Sequence, residues 1–177
     1  MDGLILCLLG FFCWTFIEYA VHAWMCHIYQ TFASSLHTVH HRDPHAVFAV
    51  GAWPLIALSW LAAFYTWGWS VGVQFFSGVV VGFASYEALH YRLHFARSLT
   101  AFEEHQRRRH LVHHYVNPSL CLGVTSGLWD RVFGTEPSPE QLAEFSAATR
   151  GVVPLEGKSN LWLLGRVMAR GWRRAAG

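Results

Sequence analysis

Residues 44–86 read PHAVFAVGAWPLIALSWLAAFYTWGWSVGVQFFSGVVVGFASY and contain no Asp, Glu, Lys or Arg. A helix that crosses a bilayer core needs about 20 predominantly apolar residues, so this stretch holds two. The break between them falls at Trp67-Gly68-Trp69-Ser70. Glycine loosens a helix there, and tryptophan favours the membrane–water interface. The pattern predicts one span over 46–67 and a second from Ser70 to about His94, the latter running past its apolar part into Glu87 and Arg92. A third apolar segment, 3–17, continues in helical pattern through Glu18 to about His27. With acidic Asp2 in place of a basic n-region, and with no small-residue cleavage site, it reads as a retained helix rather than a signal peptide.

Composition agrees with a membrane protein. The chain has 177 residues, 53% hydrophobic and 14% charged, with a mean hydropathy of +0.25. Soluble domains carry about 25% charged residues. The length suits one domain with a short appendage. The net charge of +2 is small for a chain this apolar, which argues against a nucleic-acid partner. Cys7, Cys13, Cys26 and Cys121 make no metal-binding or disulfide spacing and read as packing residues.

The cations set an orientation. Arg42 falls between the first and second spans, and all other Lys and Arg residues follow the apolar part of the third. With three spans both groups share one face, and the positive-inside rule makes that face cytoplasmic. The histidines fall on or near the same face, although they were not used to assign it.

Ten of the twelve histidines fall in four spaced clusters: His22 and His27; His37, His40 and His41; His90 and His94; and His110, His113 and His114. An α-helix turns about 100° per residue, so residues at i and i+4 lie about 40° apart and share a face. His37/His41, His90/His94 and His110/His114 have this spacing, whereas adjacent His40/His41 and His113/His114 diverge by about 100°. One H-x-x-H-H helix can therefore serve two neighbouring metals. His22 and His27 differ by about 140° on an ideal α-helix, so they reach two ions or span a helix end. Ten imidazoles are too many for one ion and comfortable for two. The nearby carboxylates Glu18, Glu87, Glu103 and Glu104 are expected to accept hydrogen bonds from ring N–H groups rather than to ligate. His45 and His105 stand outside the spacings and read as surface or supporting residues. Tyr86, Tyr91, Trp53 and Trp129 read first as interface anchors, and second as the lining of a lipid path.

These motifs carry a resemblance. Glu18-Tyr19-x-x-His22-x-x-x-x-His27, Leu36-His37-x-x-His40-His41-Arg42-Asp43-Pro44, Tyr86-Glu87-x-x-His90-Tyr91-x-x-His94 and His110-x-x-His113-His114, closed by Gly123-Val124-Thr125-Ser126-Gly127-Leu128-Trp129-Asp130-Arg131-Val132-Phe133-Gly134-Thr135, resemble the fatty acid hydroxylase/sterol desaturase superfamily. Within it the fatty acid 2-hydroxylases look closest. The resemblance covers roughly residues 18–135. It implies a dinuclear metal centre on the cytoplasmic side, with two ions held by those ten histidines. It further implies O2 as co-substrate and hydroxylation of a lipid or fatty-acyl chain. Iron suits that chemistry, and zinc also fits the imidazole set but has no redox states to use. Members of the superfamily often carry a further membrane helix before the first box, and some a fused cytochrome b5 domain. This chain is expected to draw its electrons from a separate cytochrome b5-like or ferredoxin-like donor. Phe95 stands where a second histidine often follows His94.

The expected architecture is thus an all-α integral membrane helical bundle of about three spans with a cytoplasmic helical metal-binding cap. Residues 1–135 form the membrane-embedded histidine-box domain. Residues 136–177 form a tail with a basic amphipathic helix over 160–174, suited equally to the membrane interface and to packing on the protein's own cytoplasmic part. General acid/base chemistry cannot break an unactivated lipid C–H bond, so the metals carry the reaction. A carotenoid ring hydroxylase and a lipid desaturase are the alternatives on the same scaffold. A metal-binding or metal-transport membrane protein is the alternative outside enzymes. Transport needs polar residues at mid-membrane, and the spans hold few: Thr15, Ser59, Thr66, Gln74 and Ser77.

Overall fold

The computed structural model describes residues 2–29 and 31–161. All regular elements among the described residues are helical. They are α1 (Gly3–Ala20), which continues without a break into a π-helical segment (Val21–Ile28), α2 (Phe32–Arg42), α3 (Trp53–Trp67), α4 (Gln74–Phe95), α5 (Ala101–Tyr115), α6 (Leu128–Phe133) and α7 (Pro139–Ala148). A second π-helical stretch, Gly68–Val73, leads into α4.

Two helical stretches, Gly3–Ile28 and Trp53–Phe95, are long and apolar enough to cross a membrane. In an apolar 18-residue window of each, 28% of the first and 33% of the second is buried, less than expected of the mostly buried core helix of a soluble domain. Leu4, Leu8 and Phe12 on α1, and Leu55, Leu58 and Leu61 on α3, point outward. An apolar surface this continuous is stable against lipid rather than water.

The second stretch is not a single rod. Gly68 adopts φ +70, a left-handed conformation that glycine takes without a Cβ clash. The chain reverses there. Trp60 Nε1 donates to Ser77 Oγ at 3.2 Å, and Trp67 stacks on Phe76, so the two arms lie side by side. The turn falls where the tryptophan–glycine break predicts it. The preceding helix begins at Trp53 rather than Ala46. Pro54 in its first turn suits a helix start, and residues 43–52 form turns instead.

α1 and α4 run parallel in very close contact. A Cβ on Gly10 would lie 1.9 Å from the Phe75 carbonyl oxygen, and one on Gly78 would lie 1.9 Å from that of Cys7. Gly82 likewise admits Trp14. Helices in lipid gain little from apolar burial, so close backbone packing through small residues drives their association. Trp14, Val79 and Phe83 form the core between them. Parallel packing sends both helices to the same end of the bundle, where the π-helical continuation of α1 and the last turns of α4 carry their histidines. There α2 and α5 bring in the remaining histidines.

The tail is described only as far as Leu161. Most of the amphipathic segment expected over 160–174 lies outside the described residues. Before it, α7 packs on α5, Leu155 N–H donates to His94 O at 2.8 Å, and Asn160 bonds both ways with Phe48.

Gly10→Val and Gly78→Val force the α1 and α4 backbones apart. Each is expected to lower the thermal midpoint in detergent by several degrees or abolish folding, since overpacking costs about 1–3 kcal/mol or more. Gly51→Ala, whose Cβ would meet Leu36 Cδ1 at 3.4 Å, serves as the tolerated control. Equal midpoints for all three would refute the close-packing account.

Candidate metal centre

Each histidine pair is placed by its helix. His22 and His27 sit on the π-helical segment, which closes with Tyr29 N–H donating to Trp24 O at 2.7 Å, an i to i+5 bond. In that winding, residues five apart stack on one face. An α-helix would separate them, and the expectation that they reach two ions or span a helix end is corrected on this point. Their rings lie 5.1 Å apart. The Thr31 hydroxyl donates to Met25 O at 2.7 Å, satisfying a carbonyl near the end of the segment while Thr31 caps α2. α5 starts with a capping box between Thr100 and Glu103.

The ten clustered histidines come together in two groups of five. His22, His27, His37, His41 and His113 make one; His40, His90, His94, His110 and His114 make the other. The arrangement is crossed. The π-helical segment and α2 each give a pair to the first group, and α4 and α5 each give a pair to the second. α2 then gives the second group a single residue, His40, and α5 gives the first group His113. The i, i+4 pairs stay together and the adjacent residues diverge, as the helical angles require. His41 and His114 stack across the groups at 4.3 Å.

The nitrogens converge rather than pair. His37 Nε2 lies 3.0 Å from His22 Nε2, 3.0 Å from His27 Nε2 and 2.8 Å from His41 Nε2. In the second group, His40 Nε2 lies 3.1 Å from both His90 Nε2 and His114 Nε2, and His94 and His110 meet at 2.8 Å. A neutral imidazole has one N–H. His22 Nδ1 lies 2.5 Å from Leu122 O, and His113 Nδ1 lies 3.1 Å from Leu120 O, so these rings spend their proton on a carbonyl. Their Nε2 atoms are then bare acceptors. Even with a proton, His37 Nε2 can serve only one of its three neighbours. The remaining contacts set lone pair against lone pair, which only a cation relieves. Two nitrogens about 2.1 Å from one ion and at right angles stand about 3 Å apart, the spacing found here. Within each group the ligand atoms lie within 4.8 Å of one another, which matches one ion per group. The residues therefore fit two ions.

Charge on the rings is suppressed. Burial is the largest cause in every case outside the apolar helices. It pushes His40 down to about 3 and lowers His37, His41, His110, His113 and His114, with neighbouring histidines adding to the effect for all but His41. Neutral imidazole is the ligating form.

The supporting contacts differ from expectation. None of Glu18, Glu87, Glu103 and Glu104 accepts from an N–H of the ten clustered histidines among the described residues; the backbone carbonyls of Leu120 and Leu122 face His113 and His22 instead. Glu18 instead accepts from Val124 N–H at 2.6 Å, Thr125 N–H at 3.0 Å and the Thr125 hydroxyl. Glu87 accepts from Ala49 N–H at 3.0 Å and Trp53 Nε1 at 3.4 Å, and Glu103 pairs with Arg92. These carboxylates fix loops, because an unpaired loop N–H in a buried setting is costly.

Asp130 and Arg109 form the clamp that spacing alone did not reveal. Asp130 is fully buried and accepts from Leu122 N–H at 2.7 Å, Gly123 N–H at 2.9 Å, Thr135 Oγ1 at 2.7 Å and Arg109 Nη2 at 2.7 Å. Arg109 also donates to Glu136, Gln106 and Gly123 O. The loop so held carries both carbonyls that orient His22 and His113, with Cys121 between them at φ +56, a strained conformation for a non-glycine residue. The Trp129-Asp130…Thr135 motif was the available signal, but its partners lie elsewhere in the chain.

The residues outside the clusters stay outside. His45 bonds Asp43 and Glu156 O, and His105 lies on the far side of α5 against α7. Trp129 donates to Thr15 Oγ1 and packs on Phe16, and Tyr91 stacks on Phe48 and Phe95. Tyr86 stacks on His90, 5.4 Å away.

Comparison with known proteins points one way. The family model described as fatty acid hydroxylase matches residues 7–135. A ceramide very long chain fatty acid hydroxylase of Schizosaccharomyces pombe is 32% identical over 143 residues, covering 73% of this chain and 41% of the relative. A dihydroceramide fatty acyl 2-hydroxylase of Arabidopsis thaliana is 32% identical over 141 residues, covering 73% and 60%. The hydroxylase domain visible in a structure of full-length Scs7p superposes with a TM-score of 0.67 at 31% identity, covering 78% of this chain and 57% of that one. The chain thus spans about half the length of the relatives it matches.

Asp130→Asn leaves Arg109 short of a charge and the loop short of an acceptor. Breaking such a buried pair costs about 3–5 kcal/mol. Where the variant still folds, metal affinity is expected to drop about 10–100-fold, read by competition with a chelator; unchanged affinity and melting would remove the clamp's role. In the metal-free protein, buried neutral histidines also make stability depend on pH. Unfolded histidines take up protons below about 6.5, whereas native His40 resists down to about 3. Stability is therefore fully present above about 6.5 and is lost as pH falls through that window. Denaturant midpoints that stay flat from pH 7 to about 4 would contradict this.

Proposed function

The chain belongs to the fatty acid hydroxylase family, and we propose that it is a membrane-bound dinuclear-metal oxygenase that hydroxylates a lipid or fatty-acyl chain. Its co-substrate is O2, and two electrons come from a separate redox partner of the cytochrome b5-like or ferredoxin-like kind. The relatives' names point to the acyl chain of a ceramide or fatty acid as substrate class. The observation that carries the reading is the pair of five-imidazole groups.

Two redox-active ions, of which iron is the proposed metal, would supply the O2 activation and C–H oxidation that no side chain can perform. The chain's residues do the rest. The ten histidines would hold the ions as neutral ligands, five nitrogens to each ion. The Leu120 and Leu122 carbonyls fix the tautomers of His113 and His22. The apolar, outward-facing helices admit an acyl chain from the bilayer, and Tyr86 beside His90 stands between the apolar core and the histidines. The reversal at Gly68 and the parallel course of α1 and α4 support three spans, α1, α3 and α4. The arginine distribution supports a cytoplasmic side for the histidine cap and the C-terminus. Residues 1–135 are the hydroxylase domain and 136–177 its tail.

Purified protein is expected to bind two ions per chain, and lipids from expressing cells to gain one oxygen on acyl chains by mass spectrometry. His40→Ala and His113→Ala remove the crossed ligands; each is expected to lower metal content and bring hydroxylation to background. Retention of both ions in these variants would sink the dinuclear centre, and an oxygen gain confined to carotenoids would overturn the substrate class.

A further inference from the structure

Two arginines on α5, two positions apart, are both buried and are treated in opposite ways. Arg109 is 1% exposed and is met by Asp130 and Glu136. Arg107 is 9% exposed, and its hydrogen bond is from Nη1 to Ala96 O at 3.3 Å, with no carboxylate at ion-pair distance among the described residues. A buried guanidinium without a counter-charge is strongly unfavourable, so native proteins pair it.

Arg107 lies in the wall of an open cleft of about 830 Å³ between α5, α7 and residues 149–154. That is the size of a small-molecule site. Arg108 and Arg150, on the same wall, have no ion-pair partner among the described residues, whereas Arg97 is engaged by Glu156 at 2.5 Å. Glu104 is the acid on the wall, and it is exposed. Leu111, Leu142, Val152 and Val153 line the cleft with apolar surface. A smaller cavity shares Arg107, Leu111, Val152 and Val153 with the cleft and reaches His94, a member of the second histidine group.

We infer that this cleft binds an anionic amphiphile, with a carboxylate or phosphate head on Arg107, Arg108 and Arg150 and its apolar part along Leu111 and Val152. The concavity and the depth of Arg107 favour a small ligand, because a flat protein surface would reach only the two outer arginines. The head is that of the substrate itself or of an accompanying membrane lipid, and the two share the same chemistry. The binding stands apart from the hydroxylase reading; its assignment to the substrate rests on that reading.

The test uses the full chain in dodecyl maltoside micelles, with and without metal. Calorimetric titration with dodecyl phosphate or dodecanoate is expected to show saturable binding, and dodecanol none. Arg107→Gln is expected to weaken binding about tenfold or more, the loss of a charge-assisted contact. The melting midpoint and metal content should be preserved. Because Arg107 is buried, the exposed double variant Arg108→Gln/Arg150→Gln serves as a second reading, expected to be weaker by about threefold or more. Unchanged affinity in both variants, or uptake of dodecanol equal to that of dodecyl phosphate, overturns the inference. With both ions bound and with O2 and a two-electron reductant supplied, dodecanoate recovered with an added oxygen assigns the head to the substrate. Dodecanoate bound but recovered intact assigns it to a separate lipid. Either leaves the ligand class standing. Binding retained in a protein that adds oxygen to no lipid in expressing cells would count against the proposed function alone.

Discussion

Ten imidazole nitrogens aimed at two points are the constraint on which the rest of this structure depends. Without cations, acceptor lone pairs would face one another at about 3 Å inside a low-dielectric environment, where such contacts are not screened. Four elements must arrive at the same place for the groups to form. Each element is held by its own device: π winding in Val21–Ile28, a capping box on α2, another on α5, and the glycine contacts that seat α4 beside α1. The crossed pattern ties these devices together. His40 and His113 each belong to the group that their own helix does not otherwise feed, so neither group can form without both α2 and α5.

Around the histidines, polarity is organised in layers. Backbone carbonyls touch the rings, backbone amides of the same loop touch Asp130 and Glu18, and Arg109 neutralises Asp130. A carboxylate is thereby kept one peptide away from the ligands. The chain of contacts transmits orientation without placing a negative charge on the ring N–H, and it makes residues 120–136 inseparable from the site although none of them is a histidine. Arg107 is the exception to this tidy neutralisation, and it opens on a cleft rather than on protein.

Much of the architecture is legible in the sequence because it rests on local periodicity. The uncharged run 44–86 with its tryptophan–glycine break, the helical continuation of the first apolar segment past Glu18, and the four histidine spacings all depend on neighbours within one or two turns. Even the division of H-x-x-H-H between two groups follows from the angle between adjacent residues on a helix. Other features were not legible. An α-helical reading of His22 and His27 sends them to different faces, since nothing in the local residues announces π winding. The roles of Asp130, Arg109 and Glu18 depend on partners up to 107 positions away.

The sequence by itself thus determined the helical class, the apolar stretches, and a surplus of histidine at chelating intervals, because hydrophobic period and side-chain spacing are properties of a segment. The tertiary structure alone decided which histidine joins which group, which carbonyl orients each ring, and which buried arginine is left without a carboxylate. Those outcomes depend on where separate helices cross. The crossings are set by the close approach of α1 and α4 at Gly10 and Gly78 and by the loop that Asp130 holds, interactions between residues far apart in the chain.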